Sequence, residues 1–167
     1  NNGEYFLKKE DLEEGLQEDF FFIKENSQES MVSEIISLCT GRLKKYGNYD
    51  FFQNIQVLTP TKKGLLGTRE LNKVLQEKLN PNINNLPEKS SMGAIFRTGD
   101  RVMQVKNNYD IYWEKETNER KELGSGVFNG EIGTILKIDE INKQAEVKFD
   151  DEKIALYDFA ERGVCQR

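Results

Sequence analysis

Apolar positions fall into two regimes along this chain of 167 residues. The first half carries short apolar runs and helical stripes, and from Phe96 onward the period changes to two. Asp19-Phe20-Phe21-Phe22-Ile23 is a continuous apolar run closed by Lys24-Glu25, and Ile55-Gln56-Val57-Leu58-Thr59-Pro60 is a second one stopped by proline. Both predict strands buried on two faces, as in a parallel sheet. Between them Val32, Ile35, Ile36, Cys39, Leu43 and Tyr46 recur at helical spacing. They predict an amphipathic helix, with Asn26 and Glu29 as its capping box and Gly47 at its end. Thr68 is expected to cap a further helix with Leu71, Val74, Leu75 and Leu79 on one face, closed by Asn80-Pro81. Residues 1–18 allow a short helix interrupted at Gly15. Alternating strands and helices build a parallel α/β unit. Two strands do not make a stable sheet, so partner strands are expected elsewhere.

Residues 81–95 hold Asn82, Asn84, Asn85, Pro87, Ser90, Ser91 and Gly93 and read as a linker. Beyond it, alternation predicts strands at 101–106, 126–128, 131–139, 144–149 and 153–157. Five short strands suggest a small barrel, which removes exposed edges by closing. Asn129-Gly130 predicts a type I′ turn and Asp150-Asp151 the last hairpin turn. Residues 110–126 read as a protruding hairpin or a mobile loop, with Trp113 a lid over the barrel rather than an exposed contact. The stretch from Asp158 to Arg167 has no strong pattern. The fold class is thus α/β plus all-β, divided at 1–95, 96–160 and a tail at 161–167.

Composition narrows the chemistry. The net charge of −5 requires any nucleic-acid contact to use a local basic face rather than a global field. With no histidine, and with Cys39 and Cys165 far apart, zinc sites and histidine-based triads are excluded. Those two cysteines fit a reducing cytoplasm, and no apolar run approaches the length that spans a bilayer. The chain opens Asn1-Asn2-Gly3, as expected of a piece of something larger. The acidic pairs Glu13-Glu14 and Asp150-Asp151 read as solvated, so neither a catalytic residue nor a metal site is assigned.

Two stretches carry candidate chemistry. Lys62-Lys63-Gly64-Leu65-Leu66-Gly67-Thr68 joins an expected strand to a helix but does not match a phosphate-binding loop, since its lysines precede its glycines. It is either a solvated basic loop or a phosphate contact through Lys62 and Lys63, because lysine and helix N-termini both favour phosphate. Asn107-Asn108-Tyr109-Asp110 is either a nucleic-acid contact, with asparagine donors and a tyrosine stacking face, or a turn closed by its own side chains with Tyr109 packed on the barrel.

Taken with Phe96-Arg97-Thr98-Gly99-Asp100-Arg101-Val102-Met103-Gln104 and Val127-Phe128-Asn129-Gly130-Glu131-Ile132-Gly133, these segments resemble the RecD-like DNA helicases of superfamily 1, the family of the exodeoxyribonuclease V alpha subunit. The apolar run at 19–23, the stretch from Ile55 to Pro60, and Gly67-Thr68-Arg69-Glu70-Leu71-Asn72 with Leu75-Gln76 fit the same order. The resemblance implies that residues 1–95 are part of a second RecA-like motor domain and residues 96–160 its SH3-like insert along the DNA path. It implies a parent that hydrolyses ATP with magnesium and moves 5′ to 3′ on single strands. Lys62 and Lys63 are then candidate nucleotide phosphate contacts, and Asn107, Asn108, Tyr109, Phe128 and Asn129 candidate DNA contacts. Expected partners are single-stranded DNA, the rest of the helicase chain and other DNA-repair proteins. The family passes almost directly from Asn-Asn-Tyr-Asp to Val-Phe-Asn-Gly, whereas residues 111–126 intervene here. The phosphate-binding loop and the magnesium-binding motif do not occur in this sequence, so ATP hydrolysis by this piece alone is not expected. The alternative is an SH3-like protein-interaction module on an α/β mount.

Overall fold

The computed structural model describes residues 21–91, 93–117, 120–158 and 164–166. The expected helix before residue 18, and Asp19 and Phe20, lie outside them. The helical stripe folds as expected, as α1 (Gln28–Ser37), a π-helical stretch Leu38–Arg42 and α2 (Leu43–Gly47). Its capping box is formed by Ser27 and Ser30 rather than Asn26 and Glu29: each serine reaches the other's backbone N–H. Gly47 is the last helical residue, and Asn48 takes the left-handed conformation that ends the helix. A single turn, α3 (Phe51–Asn54), is capped by Asp50, whose carboxylate accepts from the N–H groups of Phe52 and Gln53. Helix α4 (Thr68–Leu79) buries Leu71 and Leu75, with Gly67 as the N-cap in place of Thr68.

Neither expected parallel strand forms among the described residues. Phe21, Phe22 and Ile23 are exposed and lie in no strand, and residues 55–60 likewise join no sheet. A strand exists by its ladder, and an apolar run with no neighbour to bond stays coil. The expected linker also needs correction. Overlapping it, residues 88–97 hold a two-stranded sheet of β1 (Glu88–Ser91) and β2 (Ala94–Arg97), antiparallel with Glu88 opposite Arg97.

From there the chain is β-structure. Strands β3 (Arg101–Gln104), β4 (Asn108–Glu116), β5 (Lys121–Val127), β6 (Ile132–Asp139), β7 (Gln144–Phe149), β8 (Ile154–Asp158) and β9 (Val164–Gln166) form one antiparallel sheet in the order β5-β4-β8-β7-β6-β3-β9. The expected closed barrel is thus a linear hydrogen-bonded order with β5 and β9 at its ends. The sheet bends at irregularities in β4 and β6 and surrounds a single core. Phe96, Val102, Ile111, Val127, Ile135, Ile138, Val147, Phe149, Ala155 and Tyr157 all contribute to it.

The 110–126 stretch is a hairpin continuous with this sheet: β4 and β5 pair from Tyr112↔Ser125 to Glu116↔Lys121. Trp113 packs against the core as the expected lid, directly over Gly124. A Cβ at Gly124 would lie 2.4 Å from the indole, so only glycine admits the ring there. Asn129-Gly130 is not a type I′ turn, because positive φ occurs at Gly130 and not at Asn129, as a type II turn requires. The reason is topological. β5 and β6 are not neighbours in the sheet, so the turn does not have to match the twist of a hairpin.

The β6–β7 connection is held by Asp139, whose carboxylate accepts from the N–H groups of Ile141 and Asn142 and from the Asn142 side chain. The Asn142 backbone N–H, then its side-chain amide, hold the Asp139 carboxyl below its ordinary value of 3.8. A depressed folded pKa gives stability that is present above 3.8 and lost as pH falls through the folded value. Asp139→Ala is therefore expected to lower stability at pH 6 and to flatten the acid limb below pH 4. Urea unfolding followed across that range checks it. Equal pH dependence in both proteins would rule the carboxylate out.

Candidate nucleic-acid interface

The two halves of the motif meet at one corner. β3 ends at Gln104, residues 105–107 lead into β4, and the turn at 128–131 leads from β5 into β6. The Gln104 N–H donates to the Glu131 carbonyl at 2.9 Å, and its carbonyl accepts from the Gly130 N–H at 2.8 Å. The buried Gln104 side chain donates to the Lys106 carbonyl at 2.6 Å and accepts from the Tyr157 hydroxyl at 2.9 Å. One glutamine thus fixes both loops to each other and to the core. No pattern in the sequence marked it, because an isolated glutamine on an alternating strand carries no periodic signal.

On this base stand the predicted residues. Asn107 accepts from the Asn129 N–H at 2.9 Å and donates to the Tyr109 hydroxyl at 3.2 Å. Tyr109 and Phe128 make an edge-to-face pair with ring centroids 5.7 Å apart at 75°. They are 65% and 43% exposed, so Tyr109 lies on the surface against Phe128 rather than in the core. Four of the five candidates, Asn107, Tyr109, Phe128 and Asn129, are therefore brought together. Asn108 serves the backbone instead, its side chain accepting from the Asp110 N–H at 3.1 Å in an Asx-type turn. The Asn129 side-chain amide makes no hydrogen bond among the described residues. Lys106, which the sequence reading missed, is exposed beside Asn107 and pairs with no carboxylate among the described residues. Chemically the corner offers two exposed ring faces, an amide and an ammonium group. Rings stack bases, and amides and ammonium groups bind phosphate.

Lys62 and Lys63 lie elsewhere, on the exposed loop immediately before α4. That loop is folded by hydrogen bonds from the Thr68 N–H to the Thr61 carbonyl and from the Gly67 N–H to the Gly64 carbonyl. No hydrogen bond or ion pair links it to the corner among the described residues. Among those residues no cluster of histidine, cysteine, aspartate and glutamate fit to hold a metal is present, and no helix is long and apolar enough to cross a membrane.

Helix α4 is tied to the β-structure through a polar node. Asp100, almost fully buried, accepts from Gln76 Nε2 at 2.6 Å, Asn80 Nδ2 at 2.8 Å and the Arg97 N–H at 2.7 Å. The Arg97 guanidinium pairs with Glu77 at 2.6 Å and Glu88 at 2.5 Å. Asp100 and Arg97 come from the segment that carries the resemblance, and their partners are α4 and β1.

Residues 71–149 match the family model described as the ATP-dependent RecD-like DNA helicase SH3 domain. That span takes in most of α4 as well as strands β1 to β7, in agreement with the node that joins helix and strands. The chain is also 35% identical over 102 residues to the ATP-dependent RecD2 DNA helicase of Deinococcus radiodurans, a match covering 61% of this chain and 12% of that relative. Residues 71–149 thus resemble the SH3 domain of ATP-dependent RecD-like DNA helicases, and the stretch similar to the RecD2 helicase spans only 12% of that relative's length.

Proposed function

We propose that the corner formed by Lys106, Asn107, Tyr109, Phe128 and Asn129 contacts single-stranded DNA within an ATP-dependent 5′–3′ helicase. The observation that carries this reading is the exposed Tyr109–Phe128 pair, braced by Asn107 instead of buried. Exposed aromatic pairs on a fixed backbone are stacking platforms that accept any base. Asn129 and Lys106 supply the donors for the phosphate that follows a stacked base. An overall charge of −5 makes such a local contact the route available.

In the same reading the part of residues 1–95 that precedes the matched span belongs to the second RecA-like motor domain, and Lys62 and Lys63 face a nucleotide phosphate. Two exposed lysines ahead of the α4 N-terminus suit an anion. ATP, when bound, supplies the free energy for movement along the strand. The magnesium ligands would come from the rest of the helicase chain, which is the other expected partner.

Fluorescence anisotropy of this chain with a labelled oligothymidine, titrated with salt, tests the corner. Tyr109→Ala and Phe128→Ala are each expected to weaken binding by about 5-fold to 100-fold, the value of losing one stacked base. Lys106→Ala is expected to lower the salt slope by about one. Binding that ignores Tyr109 and Phe128 would remove the platform from the DNA path.

A further inference from the structure

A buried lysine is joined to the turn that carries Phe128 and Asn129. Lys153 stands just before β8, with a side chain only 6% exposed. Its Nζ lies 5.9 Å from the centroid of the Trp113 ring and 5.3 Å from that of Phe149, so the ammonium sits over two aromatic rings. A charge so enclosed has to be paired. Glu131 supplies the near partner, with Oε2 2.5 Å from Nζ, while Asp151 lies at 3.6 Å and is itself 57% exposed. Glu131 is also the residue that closes the corner turn. Its N–H donates to the Phe128 carbonyl at 3.1 Å, and its carbonyl accepts from the Gln104 N–H. One residue thus has its backbone in the corner and its carboxylate on a buried lysine.

Stability alone does not call for this arrangement. A methionine at 153 would fill the space beside the two rings without the desolvation that an ammonium suffers. What the ion pair adds is direction. It draws the Glu131 side chain toward the core, and one residue on the Asp150 N–H donates to the Ile132 carbonyl at 2.9 Å. The chain leaving the corner is therefore fixed by a side chain and by backbone together. Asn107 and Gln104 hold the same turn from the β3–β4 connection. Trp113 belongs to the 111–126 hairpin, so that hairpin reaches the corner through this lysine. We infer that Glu131 is a positioning residue for single-stranded DNA, held by Lys153 beside Trp113 so that the turn presents Phe128 and Asn129 to the strand. This role rests on the corner binding DNA.

Anisotropy with labelled oligothymidine, below all unfolding midpoints, tests it in Glu131→Gln, Lys153→Met and the double variant. Removing a carboxylate beside a phosphate contact strengthens binding when the charge acts alone. Positioning has the opposite sign: Glu131→Gln is expected to weaken binding by about 2-fold to 10-fold. Lys153→Met should weaken it similarly, and the double variant no more than the weaker-binding single, because the two side chains act as one unit. Without DNA, Lys153→Met should shift the amide resonances of 128–130 and the emission of Trp113, the one tryptophan of the chain. Asp139→Ala, which weakens the fold at the other end of β6, should leave affinity unchanged and so separates positioning from stability. Tighter or unchanged binding by Glu131→Gln, additive losses in the double variant, or unmoved amides at 128–130 would overturn the proposal. If Tyr109→Ala and Phe128→Ala leave binding intact, the corner reading fails and this role with it. If they weaken binding while Glu131→Gln does not, the positioning role alone fails.

Discussion

Asp100→Ala is expected to destabilise the chain by about 2–4 kcal/mol, the value of depriving several partly buried donors of their acceptor at once. The carboxylate is almost fully buried and accepts three hydrogen bonds, from Gln76, Asn80 and the Arg97 N–H. Removing it takes this acceptor from three donors, two of them half-buried amides that keep their bonds to the Ile95 and Thr98 carbonyls. Each costs about 1–3 kcal/mol when left unsatisfied, less whatever relaxation recovers. For a domain whose whole stability is about 5–15 kcal/mol, such a loss lowers the unfolding midpoint by many degrees. Asp100→Asn keeps the volume but sets an amide N–H against other donors, so it should recover little. Gln76→Ala and Asn80→Ala each remove one donor and should cost about 1–2 kcal/mol. Urea unfolding of the four variants checks the order. A loss for Asp100→Ala no larger than that for Asn80→Ala would mean that the node is not the joint between α4 and the sheet.

The second large effect is expected at Gln104. Gln104→Leu preserves approximate size while depriving the Tyr157 hydroxyl of its acceptor and the Lys106 carbonyl of its donor. A buried hydroxyl and a part-buried carbonyl lose this partner, at about 1–3 kcal/mol in total. Tyr157→Phe removes only the hydroxyl and should cost about 1–2 kcal/mol. The variants separate stability from function. Gln104→Leu also frees the loop bearing Lys106 and Asn107, so its oligothymidine affinity should fall more than that of Tyr157→Phe at matched temperature below both midpoints. Equal affinities would show that the corner holds its shape without the glutamine.

The contrast between the two halves explains what was legible in the sequence. Helices announced themselves through stripes such as Val32-Ile35-Ile36-Cys39 and Leu71-Leu75, and alternation located β6, β7 and β8 to within a residue or so. The strand expected over 126–128 is the end of a longer one, since Glu122-Leu123-Gly124-Ser125 offers little apolar alternation. The β1–β2 pair was hidden for the same reason. Glu88-Lys89-Ser90-Ser91 is polar and reads as loop, and its pairing is set by cross-strand partners such as Arg97. Apolar runs at 19–23 and 55–60 gave the opposite error, because hydrophobicity signals burial and cannot say against what. At the corner, Asn107, Tyr109, Phe128 and Asn129 were found through resemblance and Asn-Gly chemistry. Asn108 was named on the same resemblance, and its side chain bonds the Asp110 N–H. Gln104 and Lys106 were missed because their importance lies in contacts across the fold.

Strand β3 has a mechanical consequence. It is only four residues long, about 13 Å, and both ends are anchored: Asp100, just before it, to α4, and Gln104, its last residue, to the aromatic corner. Its middle is held by β6 on one side and β9 on the other. β3 therefore acts as a strut. The same four residues thus connect α4, through Asp100, to the loops that carry Tyr109 and Phe128, through Gln104.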